Sequence, residues 1–266
     1  MTTVHHPSSI VCIPMLTQFD GLFWFVLMLI PLVFIQRFLH REIQAVLLII
    51  TRNPQLTIGL FSVLFFPGVA LHELSHFLMA KSLFVPIGSF SLVPQALKDG
   101  RLQLGYVETQ QTDAARDSLI GAAPLFAGGL FVAYAAIYPL HLLPLWDVLR
   151  NGQFDLFWLG ISLLPQVKDF YLWFYLAFAV SSTMMPSTSD RHAWMTLGLV
   201  VTILLGLALL TGAGPWMLAY LAPLLNNFLN SIATLFALSV VLNAIMILPF
   251  MLAHRILTRV TGLDIG

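Results

Sequence analysis

The sequence predicts an all-α polytopic membrane protein, with about six transmembrane helices and a small β-hairpin after the second helix. Two observations come from composition. Of the 266 residues, 59% are hydrophobic and only 9% are charged, and the mean hydropathy is +0.89. Soluble domains carry about 25% charged residues, so this composition excludes an ordinary soluble fold. The third observation is a series of long apolar runs.

Six of these runs reach the roughly 20 mainly apolar residues that a membrane-spanning helix needs. The predicted spans are Gly21–Leu39, Thr57–Ala80, Leu119–Leu143, Phe170–Pro186, Ala193–Thr211 and Ile232–Ala253. The segment from Arg37 to Arg52 is basic with one apolar face, which predicts a helix lying on the membrane surface. The stretch from Thr211 to Asn230 has no charged residue, and we expect a loop that dips into the interface.

The chain is expected to form one membrane-embedded domain over residues 1–266. Residues 1–56 hold the N-terminal segment, the first span and the surface helix. Residues 57–190 hold the core and the hairpin, and residues 191–266 hold two C-terminal spans. The N-terminus lacks the basic start and the cleavage site of a signal peptide, so we expect it to be retained.

The connection after the second span predicts the hairpin, over residues of about 87–108. Ile87–Val93 and Arg101–Glu108 alternate in character and flank the turn signature Lys98-Asp99-Gly100. A strand at the edge of such a hairpin can pair with an extended peptide through main-chain hydrogen bonds. A purely structural hairpin is the alternative. The candidate substrate contacts on the first strand are Ser89, Phe90 and Ser91.

The second predicted span contains His72-Glu73-Leu74-Ser75-His76. Residues i and i+4 share one helix face, so both histidines can offer a ring nitrogen to one metal ion. Glu73 lies beside them and can act as a general base without being a ligand. Two ordinary helix histidines are the alternative, but ionisable residues are costly at membrane depth and usually mark a functional site. The single cysteine, Cys12, excludes a cysteine-based zinc site.

A catalytic zinc site usually has three protein ligands, so a third must come from elsewhere in the chain. If the spans alternate in direction, the histidines, the hairpin, the small-residue segment Gly121–Gly129 and the end of the fourth span share one face of the membrane. Acidic candidates on that face are Asp99, Glu108, Asp113, Asp117 and Asp190. Asp190 is favoured because Pro186 and small polar residues interrupt its helix, and irregular backbone at membrane depth usually lines a polar cavity. Glu108 is the alternative.

These features resemble the site-2 protease family of intramembrane zinc metalloproteases, over roughly the second to the fourth span. The resemblance rests on the His72–His76 motif, the hairpin, the Gly121–Gly129 segment and the Asp190 region. In that family the third ligand is an Asp usually found in a Leu-Asp-Gly context, whereas this chain has Ser189-Asp190-Arg191. Ser182 stands where the family often has Asn and is a further candidate substrate contact. There is no PDZ-like insertion.

The resemblance implies a zinc-dependent endopeptidase that hydrolyses peptide bonds of transmembrane or juxtamembrane segments. Glu73 would be the catalytic base, and His72, His76 and Asp190 would hold the zinc. The expected partners are a membrane protein or peptide substrate and the lipid bilayer. The net charge of +0 without a basic stripe excludes a nucleic-acid partner. One alternative is a catalytically inactive metal-binding protein that acts as a binding or chaperone-like partner. A transporter is weaker, because the charges form one cluster and no repeat is evident.

The resemblance also implies a location in the cell membrane, with the active site toward the cytoplasm. The positive-inside rule provides a check, because cytoplasmic loops carry more Lys and Arg. On the alternating path, the 12 basic residues divide into seven on the face of the metal motif and five on the other. This count agrees with the expected orientation.

Overall fold

The fold is known from a computed structural model that describes residues 20–92, 95–96, 102–103 and 105–263. It contains a bundle of apolar helices with a small sheet at one end. The helices are α1 (Asp20–Thr51), α2 (Pro54–Ser82), α3 (Ala114–Ile137), α4 (Leu142–Arg150), α5 (Phe154–Leu163), α6 (Phe170–Thr183), α7 (Trp194–Leu210) and α8 (Ala222–Thr261). The strands are β1 (Ile87–Ser91), β2 (Gln95–Ala96), β3 (Leu102–Gln103) and β4 (Tyr106–Thr109).

Among the described residues, four helical segments are long and apolar enough to cross a membrane. They are α1, α2, α3 and the segment Gly214–Thr261, which contains α8. The protein is therefore a helical membrane protein, as predicted. The fourth and fifth predicted spans correspond to the shorter apolar helices α6 and α7, of 14 and 17 residues. At 1.5 Å per residue neither matches a hydrocarbon core of about 30 Å, so six crossings are not confirmed.

The direction of the last helix also differs from the alternating path. The backbone N–H of Gly21 donates to the side-chain oxygen of Asn226 at 2.6 Å, and Glu42 bonds His254 at 2.7 Å. The earlier residue of α1 contacts the earlier residue of α8, and the later contacts the later, so these two helices run parallel. Six alternating crossings would make them antiparallel. The predicted interfacial loop is absent as such, because Gly214–Trp216 and the π-helical Met217–Leu221 lead directly into α8.

This direction changes the count of basic residues on the two faces. Arg255 and Arg259 follow His254 on α8 and therefore lie at the end of the bundle that carries Arg37 and Arg41. With these two arginines reassigned, five of the 12 basic residues fall on the face of the metal motif and seven on the other face. The charge count thus no longer supports a cytoplasmic position for the metal motif.

The predicted surface helix is part of α1. This helix continues unbroken to Thr51, with Ile43, Val46 and Ile49 buried. Ile43 belongs to a core cluster against which Met246, Ile247 and Phe250 of α8 pack. An apolar helix face suits a lipid surface and a neighbouring helix equally well, and here α8 provides the neighbour.

Close helix contacts bring α2, α3 and α6 together around the predicted site. Gly68 of α2 lies so near α6 that an added Cβ would overlap the carbonyl of Ala179. Tyr175 Oη donates to the Leu64 carbonyl at 2.9 Å, so α2 and α6 run side by side. Gly128 of α3 contacts the side chain of Met184 in the same manner. Small residues permit this approach of helix backbones, as predicted for Gly121–Gly129.

The predicted hairpin is present as antiparallel pairing after α2. Strands β1 and β4 pair with Phe90 opposite Val107 and Ser91 opposite Tyr106, and a bulge interrupts the register toward Ile87. Strands β2 and β3 continue the hairpin toward its tip. The predicted turn Lys98-Asp99-Gly100 lies outside the described residues.

Candidate metal centre

Helix α2 presents His72 and His76 on one face, one turn apart. Their ring centroids are 4.8 Å apart at an interplanar angle of 74°, and the two Nε2 atoms approach to 3.2 Å. His76 is buried and His72 is nearly so, with side-chain exposures of 7% and 12%. The i, i+4 spacing therefore produces the convergence that the sequence predicted.

Backbone carbonyls orient both rings. Nδ1 of His72 lies 2.7 Å from the Thr183 carbonyl, and Nδ1 of His76 lies 2.7 Å from the Ile120 carbonyl. A carbonyl can only accept, so each Nδ1 carries the proton and donates. Each Nε2 then keeps its lone pair, and the two lone pairs face each other. Metal-binding histidines typically have this second hydrogen bond, which sets the tautomer and the ring orientation.

The loop between α6 and α7 brings Asp190 to the histidines. Asp190 Oδ2 lies 3.6 Å from His72 Nε2, and Oδ1 lies 3.4 Å from His76 Nε2. The backbone N–H of Ser187 donates to Oδ2 at 2.6 Å and orients the carboxylate. An added Cβ at Gly121 would overlap the Asp190 carbonyl, so the loop lies directly on α3. A larger residue at position 121 would displace this loop.

The environment of Asp190 keeps it ionised. Burial raises the pKa of its carboxyl group, whereas the hydrogen bond that the Ser187 N–H donates lowers that pKa and favours the charged form. A charged carboxylate and two imidazole nitrogens with free lone pairs form a donor set suited to a divalent cation.

The spacing of these donors fits one metal ion. Ligands at about 2.0–2.1 Å in tetrahedral geometry lie about 3.3 Å from one another. The three separations here are 3.2 Å between the nitrogens, and 3.4 and 3.6 Å from nitrogen to oxygen. Within the part of the chain that the structure describes, one group of histidine and acidic side chains is close enough to hold a metal ion. It consists of His72, His76 and Asp190.

The other acidic candidates lie elsewhere or have other partners. Glu108 accepts a hydrogen bond from Ser89 across the β1–β4 pair. Asp113 is the N-cap of α3 and accepts from the Arg116 N–H at 3.0 Å, a hydrogen bond that lowers the pKa of its exposed carboxyl group. The structure therefore brings Asp190, and not Glu108, to the histidines. Asp99 lies outside the described residues.

Glu73 lies beside the metal ligands and beneath the middle of the hairpin, where β1 ends and β4 begins. Its residue exposure is 8%, and its carboxyl group interacts electrostatically with His72, His76 and Asp190. A Cβ added to Gly105 would come within 2.8 Å of Glu73 Cγ and 3.1 Å of the Ser91 carbonyl. Glycine at position 105 thus lets the hairpin lie over Glu73.

The four candidate substrate contacts fall in two places. Ser89 faces Glu108, Phe90 packs on Phe77 with ring centroids 5.8 Å apart, and Ser91 lies near Gly105 above Glu73. Ser182 is not on this surface. It is 3% exposed, and its hydroxyl donates to Asn243 at 2.6 Å inside the bundle.

Three polar contacts near the centre were not anticipated. Gln36 donates to the Ser181 carbonyl at 2.6 Å, and Asn243 donates to the Ser181 hydroxyl at 3.1 Å, so α1 and α8 hold the end of α6. Isolated amide side chains in apolar helices often bond neighbouring helices, and that signal was present in the sequence. Asp117 bonds His192 at 2.7 Å, which ties the Asp190 loop to α3.

Comparisons with protein-family models, with curated proteins and with solved structures find no match for this chain. The resemblance to the site-2 proteases therefore stays a prediction drawn from residue patterns. The metal centre is inferred from the spacing of His72, His76 and Asp190.

Proposed function

We propose that the protein is a zinc-dependent intramembrane endopeptidase that hydrolyses peptide bonds of transmembrane or juxtamembrane segments. One observation carries the proposal. His72 Nε2, His76 Nε2 and the Asp190 carboxylate converge at metal-ligand spacing, with a buried glutamate next to them, inside a bundle of apolar helices.

The donor set favours zinc. Two imidazole nitrogens and one carboxylate leave a fourth tetrahedral position open, as is common in catalytic zinc sites. When bound, the zinc supplies a Lewis acid that polarises a carbonyl and lowers the pKa of water to about 7. The chain holds the three ligands in place through the carbonyls of Thr183 and Ile120 and the N–H of Ser187.

Glu73 is the proposed general base. It lies next to His72 in the sequence and is buried beneath Gly105, where little bulk water reaches its carboxyl group. In peptide hydrolysis it would accept the proton of the attacking water as the new C–O bond forms. It would then donate that proton to the leaving amine nitrogen as the C–N bond breaks, so protons balance over one turnover.

The hairpin is the proposed binding surface for the substrate. The C-terminal end of β1 lies above Glu73 at Ser91 and Gly105, and within the described residues β1 and β4 form a two-stranded sheet. An outer edge of this sheet can take an extended segment by main-chain pairing. A substrate helix must unwind first, because the amides of a helix are engaged in their own hydrogen bonds.

A metal assay and a cleavage assay on the same purified proteins test the proposal. Glu73→Gln should retain the metal and lose at least about 100-fold in cleavage of a transmembrane peptide. His72→Ala should lose both. Glu42→Gln is the matched control, because it changes the same residue type at the opposite end of the bundle, away from the ligands and from the hairpin. It should keep both properties.

A non-proteolytic metal-binding partner is the second candidate, favoured by the Ser189-Asp190-Arg191 context. Retained cleavage by Glu73→Gln would contradict the proposed role of Glu73. Bound metal without chelator-sensitive cleavage by the wild-type protein, across a panel of membrane peptides, would favour this second candidate over the peptidase.

A further inference from the structure

A second polar cluster lies at the end of the bundle opposite the metal centre. Glu42 of α1 and His254 of α8 are joined by a 2.7 Å contact from Oε2 to Nδ1. A cavity of about 400 Å³ opens beside this pair. Its lining residues are Phe38, Glu42, Met251, His254, Arg255, Thr258 and Arg259. None of them has a place in the proposed peptidase chemistry.

The cavity is positively charged at its mouth. Arg255 and Arg259 are one helical turn apart, so they share a face of α8, and both are exposed. Arg41 adds a third guanidinium nearby, 5.4 Å above the ring of Phe38. The charge of Glu42 is already engaged by His254. Guanidinium groups bind phosphate oxygens in a bidentate manner, so the cluster suits a phosphate ester.

The inner wall of the cavity differs from its mouth. Phe38 and Met251 supply apolar surface, and Thr258 supplies a hydroxyl. The Nε2 atom of His254 is buried without a hydrogen-bond partner among the described residues. The cavity therefore combines an arginine pair with apolar surface between two helices that are long enough to cross a membrane.

We infer that this cavity binds the headgroup of an anionic phospholipid. The phosphate would contact Arg255 and Arg259, and the start of an acyl chain would lie on Phe38 and Met251. A free phosphate ion shares the charge but gains nothing from the apolar wall. Basic pockets between transmembrane helices near a membrane surface are suited to acidic lipid headgroups. This inference does not depend on the proposed peptidase activity.

Native mass spectrometry of the detergent-purified full chain can measure the binding, with phosphatidylglycerol and phosphatidylcholine as probes. The double variant Arg255→Gln/Arg259→Gln should bind phosphatidylglycerol about 30-fold more weakly than the wild type, because each arginine near the surface contributes about 1 kcal/mol. Arg150→Gln/Lys168→Gln removes the same charge from the α4–α6 region and should bind like the wild type. Arg255→Lys/Arg259→Lys keeps the charge and should retain most of the affinity.

Three results would overturn the inference. The first is equal binding of phosphatidylglycerol by the wild type and the glutamine variant. The second is an equal loss in the Arg150/Lys168 control, which would indicate general charge attraction. The third is displacement of the lipid by inorganic phosphate at comparable concentration, which would assign the cavity to a free anion. If the glutamine variant does not elute as a folded species, Arg255→Gln against Arg150→Gln repeats the comparison with single changes.

Discussion

Two histidine–carboxylate clusters lie at opposite ends of one helix bundle, and they differ in one distance. At the metal centre, the Nε2 atoms lie 3.4 and 3.6 Å from the Asp190 oxygens. At the far end, His254 Nδ1 lies 2.7 Å from Glu42. The first spacing is too long for a good hydrogen bond and leaves room for an ion, whereas the second is a direct hydrogen bond.

The reason for this difference lies in the other ring nitrogen. Each ring at the metal centre uses Nδ1 on a backbone carbonyl, at 2.7 Å in both cases, so Nε2 has no proton to donate to Asp190. His254 instead uses Nδ1 on the carboxylate itself. At the metal centre the backbone acceptors thus leave Nε2 of both buried rings with a free lone pair, as in metal-binding histidines, whereas His254 uses its Nδ1 on Glu42.

The largest effect is expected from removing each carboxylate in turn. Asp190→Asn should reduce metal affinity by more than about 100-fold, because changes in the outer shell alone cost about 10–100-fold. Glu42→Gln should leave metal content unchanged and lower the free energy of unfolding by about 2 kcal/mol, through loss of a charged hydrogen bond. Metal titration and thermal unfolding of both variants measure this. Equal metal loss in the two would contradict the comparison.

A smaller effect is expected from moving the Asp190 loop without changing a ligand. In Gly121→Ala the new Cβ overlaps the Asp190 carbonyl, so the loop must shift and metal affinity should fall about 10–100-fold. Gly59→Ala is the matched control, because nothing lies within 4 Å of its Cβ. Isothermal titration with zinc would separate them, and unchanged affinity in Gly121→Ala would show that the loop position is unimportant.

Glu73 can be displaced separately from the metal. Gly105→Ala places a Cβ 2.8 Å from Glu73 Cγ, so cleavage should fall by about 10–100-fold with metal content retained, since a 1 Å misplacement of a catalytic group can cost about 100-fold. Gly88→Ala in the same hairpin meets its neighbours at 3.6 Å or more and should be nearly neutral. Metal loss in Gly105→Ala would instead mean that the hairpin supports the ligands.

The smallest effect is expected at the Asp117–His192 contact. It ties the Asp190 loop to α3 at 2.7 Å, but the His192 side chain is 69% exposed. Exposed ion pairs contribute at most about 1 kcal/mol, so Asp117→Asn should weaken metal binding by no more than about fivefold. A competition assay with a zinc-sensitive dye resolves such a change. A loss as large as that of Gly121→Ala would contradict this ranking.

The sequence could predict what depends on local spacing and composition. Apolar runs indicated the long helices, and the i, i+4 histidines indicated a shared ligand face. Asp190 could be anticipated because polar residues and Pro186 interrupt an apolar helix just before it. The carbonyl partners of the two rings could not be predicted, because Thr183 and Ile120 contribute through the backbone, and any residue has a carbonyl.

The direction of α8 and the continuation of α1 also lay beyond the sequence. Hydropathy measures the length of an apolar segment and not its direction, so the parallel pairing of α1 with α8 could not be inferred. The apolar face of residues 43–49 fits lipid and protein equally well. The helix that packs against this face comes about two hundred residues later in the sequence, as the Glu42–His254 contact shows. A local sequence pattern cannot identify so distant a neighbour.

The most direct test of the central claim is the metal content and coordination of the purified protein, measured by elemental analysis with X-ray absorption spectroscopy. The geometry predicts about one zinc per chain, with nitrogen and oxygen ligands at about 2.0–2.1 Å. It also predicts loss of the metal in His76→Ala and retention in His254→Ala. A wild-type protein that binds no metal, or a His76→Ala variant that retains it, would contradict the assignment of His72, His76 and Asp190 as ligands.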